Sequence, residues 1–330
     1  MTLTILFGLM PVIIFLILLY ILDSYKLLKM RVILTVILCG SVSAAIAYPV
    51  NNYFLSLFGL NFVSVITAPL IEEALKIVVV CYLFYKNKLA FFTDAFIIGF
   101  ASGTGFGIIE NIFYFSQIES QNVISWVVRG FGTAIMHGTA TAVASVVIQI
   151  LVTKRERLKF HYLLIGLAAG FLIHSVFNNY YLPPLIQTVL QFCLLPFLIF
   201  QLFSFSEKSL RNWMEEESQS EFELLRMIKI GEFKSTRTGR YLLSIKNRFE
   251  PEVIFDMLAY IQLYLELSIK AKGLLMMKEA GFEHETGDDI KPKLDELQFL
   301  SKSIGKTGMK ILSPIIKKSN KDSWKLNLLK

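Results

Sequence analysis

Charged side chains are scarce in the first 205 residues. Seven acidic and eleven basic ones stand before Ser206, although the chain of 330 residues holds 26 Asp and Glu and 33 Lys and Arg. So little charge, in a chain that is 54% hydrophobic with mean hydropathy +0.56, excludes a water-soluble fold for that stretch. Cysteine is equally scarce: Cys39, Cys81 and Cys193 lie far apart in apolar runs. That excludes a disulfide framework, and they read as buried small hydrophobes. No basic cluster precedes the apolar run Leu3–Leu22, which is also too long for a signal-peptide core, so it is expected to be a retained first span. The net charge of +7 is ordinary for a membrane protein and carries no nucleic-acid signal, so no nucleic-acid partner is expected.

What is present is a series of apolar runs. A span needs about 20 apolar residues, which places seven near 3–22, 32–49, 57–84, 89–116, 123–152, 160–180 and 183–204. The first, third and fifth connections carry Lys26, Lys29 and Arg31, then Lys86 and Lys88, then Lys154, Arg155, Arg157 and Lys159. The second (around Asn51–Tyr53), the fourth (Ser116–Asn122) and the sixth (Asn178–Pro184) have no Lys or Arg. The positive-inside rule then predicts a multi-pass protein of the cell membrane with its N-terminus outside and its C-terminus cytoplasmic. The expected fold is all-α: a polytopic bundle over 1–205 and a small soluble helical domain over 206–330. In the latter, Phe255, Leu258, Ile261, Leu265 and Ile269 fall at helix spacing, with Pro251 suited to the first turn and Gly281 to the stop. The basic end (Lys317, Lys318, Lys321, Lys325, Lys330) reads as a solvated tail, and His284 as a loop residue without a catalytic signal.

Within the spans few ionisable groups remain: Glu72, Glu73, Lys76, Asp94, Glu110, Arg129, His137 and His174. An acid or a lysine at a helix centre costs about 2.5 to 3.5 kcal/mol on insertion scales, so each needs a reason. Asp94 lies near the cytoplasmic start of its span and reads as interfacial. Glu72 and Lys76 are four residues apart and share a face, which suggests an ion pair and leaves Glu73 without a partner. Span four carries Gly99, Gly103 and Gly107, two consecutive GxxxG steps that allow close helix approach, and then Phe106, Glu110 and Asn111. The glutamates and both histidines fall about 14 or 15 residues into their spans, within one or two turns of a common level at ~1.5 Å rise; Glu110 is nearer the outer surface. Four consecutive spans can therefore converge on one polar site.

Carboxylates and imidazoles in a low-dielectric cavity suit hydrolysis in two ways. A glutamate can take a proton from water while imidazole or amide N–H groups hold the oxyanion. Alternatively, two histidines and a glutamate can bind zinc, with a free glutamate as base. A transporter or ion-binding protein using the same cavity is the rival reading, which inverted repeats would favour; none is evident. A catalytically inactive scaffold is a third.

The pattern EExxK (Glu72, Glu73, Lys76), FxxxEN (Phe106, Glu110, Asn111) and two membrane histidines (His137, His174) resembles the PrsW-type intramembrane proteases of bacteria, over about residues 60–180. Arg129 matches the arginine that the family carries ahead of the first histidine, and Asn178 stands where some members have aspartate. The resemblance implies a polytopic endopeptidase, usually classed as a metalloprotease and distantly similar to CAAX-processing membrane proteases. Its substrate would be a membrane-tethered protein cut near the outer face, as in the first cut of an anti-sigma factor. It makes Glu72, Glu73, Glu110, His137 and His174 the catalytic candidates. Lys76, Phe106, Asn111, Arg129 and Asn178 would support them, and Glu110, His137 and His174 are the candidate zinc ligands.

Overall fold

In lipid the backbone must satisfy its own hydrogen bonds, and every regular element among the described residues is helical. The computed structural model describes residues 2–23, 25, 27–117, 123–155, 158–280, 282, 289–316 and 329. Lys26, Arg157, most of the fourth connection, Gly281, His284 and the basic C-terminal lysines lie outside them. The chain divides into two compact units, Met1–Glu207 and Lys208–Lys330.

In the first unit, helices α1 (Thr2–Leu22) and α2 (Met30–Phe58) are followed by the short α3 (Leu60–Phe62) and α4 (Ala68–Tyr85). Next come α5 (Phe92–Gln117), α6 (Val123–Val127), α7 (Ile135–Arg155), α8 (Phe160–Asn178) and the part up to Glu207 of α9 (Pro184–Lys229), whose remainder belongs to the second unit. Five described helical stretches are long and apolar enough to cross a membrane: α2, α5, the stretch Val123–Thr153, α8 and α9. The chain is a multi-pass membrane protein. Of the other two expected spans, α1 contributes the shorter apolar stretch Leu6–Leu22, and α4 holds Glu72, Glu73 and Lys76.

The second connection, expected around Asn51–Tyr53, is instead helix. α2 runs through it to Phe58 and stops at Gly59, whose φ of 76° suits a residue without Cβ. Asparagine is a weak helix former, yet nothing at 50–58 breaks the ladder, and Pro49 removes only one backbone donor. Two π-helical turns, Val63–Thr67 and Val128–Ala134, lead into α4 and α7, the helices that carry the glutamate pair and His137.

α5 lies at the centre, against α7 on one side and α2 on the other. The glycine steps explain the first contact. A Cβ on Gly103 would strike the His137 backbone carbonyl, and one on Gly99 would strike Ser145 and the Thr141–Ala142 backbone. Phe96, Ile97, Phe100 and Ile148 belong to the apolar core of this unit. Asp94 is fully buried within the bundle. Its Oδ2 accepts from the N–H groups of Ala90 (3.3 Å) and Phe91 (3.2 Å), bracing the turn that enters α5. The cysteines form no disulfide; Cys39 and Cys81 are half-buried, and Cys193 is exposed on α9 rather than buried.

The second unit contains α10 (Arg237–Ile245), α11 (Pro251–Glu279) and α12 (Ile290–Ile316). α11 buries Met257, Ile261, Tyr264, Leu265, Leu267 and Ala271. That is more than the single stripe read from spacing, and Phe255, assigned to that stripe, is exposed instead. In this unit Lys272 Nζ donates to Glu221 Oε2 at 2.9 Å, and Ser268 Oγ bonds the same carboxylate, so this buried cation is paired.

Candidate functional site

α4, α5, α7 and α8 bring their ionisable groups together. The rings of His137 and His174 have centroids 4.7 Å apart and stand nearly perpendicular. Both are buried, as are Glu73 and Lys76.

The ion pair is not the one suggested by i,i+4 spacing. Lys76 Nζ bonds Glu73 Oε1, while Glu72 Oε1 accepts from Asn51 Nδ2 at 2.9 Å. Burial decides between the two glutamates. Glu73 faces α7 and α8, where an unpaired carboxylate would cost several kcal/mol, so the ammonium goes to it. Glu73 is then fully engaged. Its Oε1 also lies 2.9 Å from His174 Nδ1, and its Oε2 accepts from Thr141 Oγ1 at 2.8 Å.

These contacts fix both imidazole tautomers. A carboxylate only accepts, so His174 Nδ1 carries the proton and Nε2 the lone pair. An ammonium only donates, so His137 Nδ1, 3.1 Å from Lys76 Nζ, is an acceptor. His137 Nε2–H then donates to Glu110 Oε2 at 2.8 Å. Each histidine is thus oriented by a carboxylate behind it, Glu73 for His174 and Glu110 for His137, the arrangement that commonly backs metal-binding histidines.

The free lone pair of His174 Nε2 and the Nδ1 of His137, which already accepts from Lys76, both lie near one group. Glu72 Oε2 lies 3.8 Å from His174 Nε2 and 4.0 Å from His137 Nδ1. Glu72, His137 and His174 form a group able to hold a metal ion, with one donor atom from each within 4.8 Å of the others. Ligands at tetrahedral zinc stand ~3.4 Å apart at a bond length of 2.0–2.1 Å, so the set is slightly wide but of the right chemistry. The expected set had Glu110 in place of Glu72. Glu110 binds the other nitrogen of His137, away from the convergence, because α5 approaches that ring from its Nε2 side.

The supporting residues divide. Phe106 lies under the Lys76 ammonium, 4.6 Å from Nζ to the ring centroid, and 5.0 Å from the His137 ring. Arg129 Nη2 is 3.4 Å from Glu110 Oε1, its Nε donates to Asn111 Oδ1 at 3.0 Å, and its guanidinium stacks on Tyr114. Asn111 in turn donates to Gly8 O at 2.7 Å, which ties α1 to the site. Asn178 does not join the cluster; its Nδ2 donates to Ser64 O at 3.0 Å, pinning α8 to the first π turn. Asn51 and Thr141 join it unanticipated. Thr141 lies four residues after His137 and was legible from that spacing, whereas Asn51 was hidden in a stretch read as a connection.

A family model described as PrsW family intramembrane metalloprotease matches residues 25–203. No curated protein and no solved structure matches the chain.

Proposed function

The chain belongs to the PrsW family of intramembrane metalloproteases, and from that membership we propose that it hydrolyses a peptide bond of a membrane-tethered protein near the outer face, with Glu72, His137 and His174 as the reactive centre. Intramembrane proteolysis implies a membrane protein in the bilayer as substrate, and a single-span anti-sigma factor taking its first cut is the finer reading. One observation supports the assignment of the centre: Glu72, His137 and His174 bring one potential ligand atom each within 4.8 Å of the others inside a buried site, although Lys76 also reaches His137 Nδ1. Electron-rich groups so placed favour an incoming cation or a polarised water.

Glu72, His137 and His174 would hold zinc, which would supply a Lewis acid for the carbonyl and the attacking water. Glu73 and Glu110 keep the imidazoles in the tautomers that this requires. Glu110 is the most exposed of the three glutamates, at 27% of its side chain, and is committed to Arg129 and His137 Nε2. Lys76 supports a second reading, because its ammonium already holds the His137 lone pair. In that case Glu72 Oε2 itself takes the proton, without metal, and the Lys76 ammonium faces the oxyanion.

Metal analysis of the purified protein beside a cleavage assay separates the two. The expected result is about one zinc per chain, and a chelator that lowers cleavage at least about a hundredfold, restored by zinc. Metal-free protein with full activity in chelator assigns the second reading. A folded wild-type protein that cuts no membrane-tethered peptide overturns both in favour of a transporter or scaffold.

For orientation we propose seven spans in the cell membrane, the N-terminus outside, a protease domain over 1–205 and a cytoplasmic domain over 206–330. This reading rests on the alternation of basic connections. A C-terminal alkaline phosphatase fusion is expected to be inactive in cells, and an active fusion would overturn it.

A further inference from the structure

Asn51 occupies a position in the site that the mechanism has not used. Its Nδ2 donates to Glu72 Oε1 at 2.9 Å, which orients its side-chain amide, because only the nitrogen end can face a carboxylate oxygen. Its Oδ1 is buried and meets no donor among the described residues. The other two side-chain amides near the site are anchored to backbone: Asn111 donates to Gly8 O and Asn178 to Ser64 O. A buried carbonyl oxygen without a donor costs about 1–3 kcal/mol.

A peptide substrate supplies the missing donor. A membrane-spanning segment is helical because lipid offers its backbone no partners. To be cut, it must unwind at the scissile bond, and unwinding frees backbone N–H groups in a dry site. Each freed group needs an acceptor. Asn51 also stands at the edge of the bundle: α2 residues from Asn52 onward are mostly exposed. Pro49, two residues earlier, removes one bond from the ladder of this helix.

We propose that Asn51 is both the positioning residue of Glu72 and a substrate-binding residue: Nδ2–H holds Glu72 Oε1, and Oδ1 accepts one backbone N–H of the unwound substrate beside the scissile bond. The proposal rests on the proteolytic reading above and adds the subsite that recognises backbone rather than side chain. It gives a role to the buried Oδ1 of a half-buried residue whose other end is held by Glu72.

The test uses the full chain in lipid nanodiscs and a single-span peptide, a Leu/Ala span followed by a mixed-sequence outer segment. In a series of such peptides, the amides flanking the cleaved bond are replaced one at a time by esters, which removes one N–H each. With the wild-type protein, one ester position is expected to lower kcat/KM by about 3- to 10-fold. In Asn51→Ala the same ester should have no further effect. Asn51→Asp keeps an acceptor but cannot donate to Glu72, so it should lose kcat while KM stays within about twofold and the ester effect persists. Asn51→Ser, too short to reach, replaces Asn51→Ala if that variant does not fold. Equal ester effects in the wild type and the folded variant at every position would overturn the proposal. If the wild type cuts none of the peptides, the proteolytic reading falls, and binding of the same series by fluorescence anisotropy decides for Asn51: a single position coupled to Asn51 supports it, and none overturns it.

Discussion

Glu72→Gln is expected to lower proteolysis by about 10²- to 10⁴-fold while the protein still accumulates in the membrane with an unchanged unfolding midpoint. Among the described residues Glu72 pairs with no lysine or arginine within salt-bridge distance. Its Oε1 meets Asn51, and its Oε2 lies 3.8 and 4.0 Å from the two imidazole nitrogens. Glutamine preserves shape and one carbonyl oxygen but supplies neither a basic carboxylate nor an anionic ligand. The loss therefore falls on the chemistry whether Glu72 binds zinc or takes the proton. Glu73→Ala should differ: it removes the partner of Lys76, His174 and Thr141 together, so both activity and stability fall. A kinetic assay paired with thermal unfolding of both variants checks this. Full activity in Glu72→Gln would remove that residue from the centre.

The second large effect concerns Lys76. Lys76→Met is expected to destabilise the protein by about 3–5 kcal/mol, because it leaves the carboxylate of Glu73 buried and uncompensated. The ammonium is wholly buried and has three contacts, with Glu73, His137 Nδ1 and the Phe106 ring, so no surface residue can replace it. Neutralising both partners removes the charge imbalance. The double variant Glu73→Gln with Lys76→Met should recover at least about half of the lost stability yet stay inactive, since His174 no longer has a carboxylate behind it. Unfolding measured in detergent micelles for the wild type, both single variants and the double gives the coupling directly. A single variant within about 1 kcal/mol of the wild type would mean that water reaches Glu73.

By itself the sequence determined that the chain is helical, that its first two thirds belong in a membrane, and which few ionisable residues had to be accounted for. The reason is energetic: lipid penalises polar side chains so strongly that any exception stands out in a single sequence. The glycine steps of α5 were legible for a related reason, since close helix approach admits only small residues. Tertiary structure decided the partners. Spacing along α4 allowed Lys76 to pair with either glutamate. Packing against α7 and α8 made Glu73 the one that could not be left alone, and so freed Glu72 for Asn51 and the histidines. Glu110 behind His137, rather than beside Glu72, depended on the side from which α5 meets that ring. Asn51 was invisible for a different reason. A weak helix former two residues after a proline reads as the end of a span, and only the continuation of α2 to Gly59 carries its amide to Glu72. Periodicity within one helix tells which residues share a face; which atoms meet across helices depends on how neighbouring helices pack, and no local spacing encodes that.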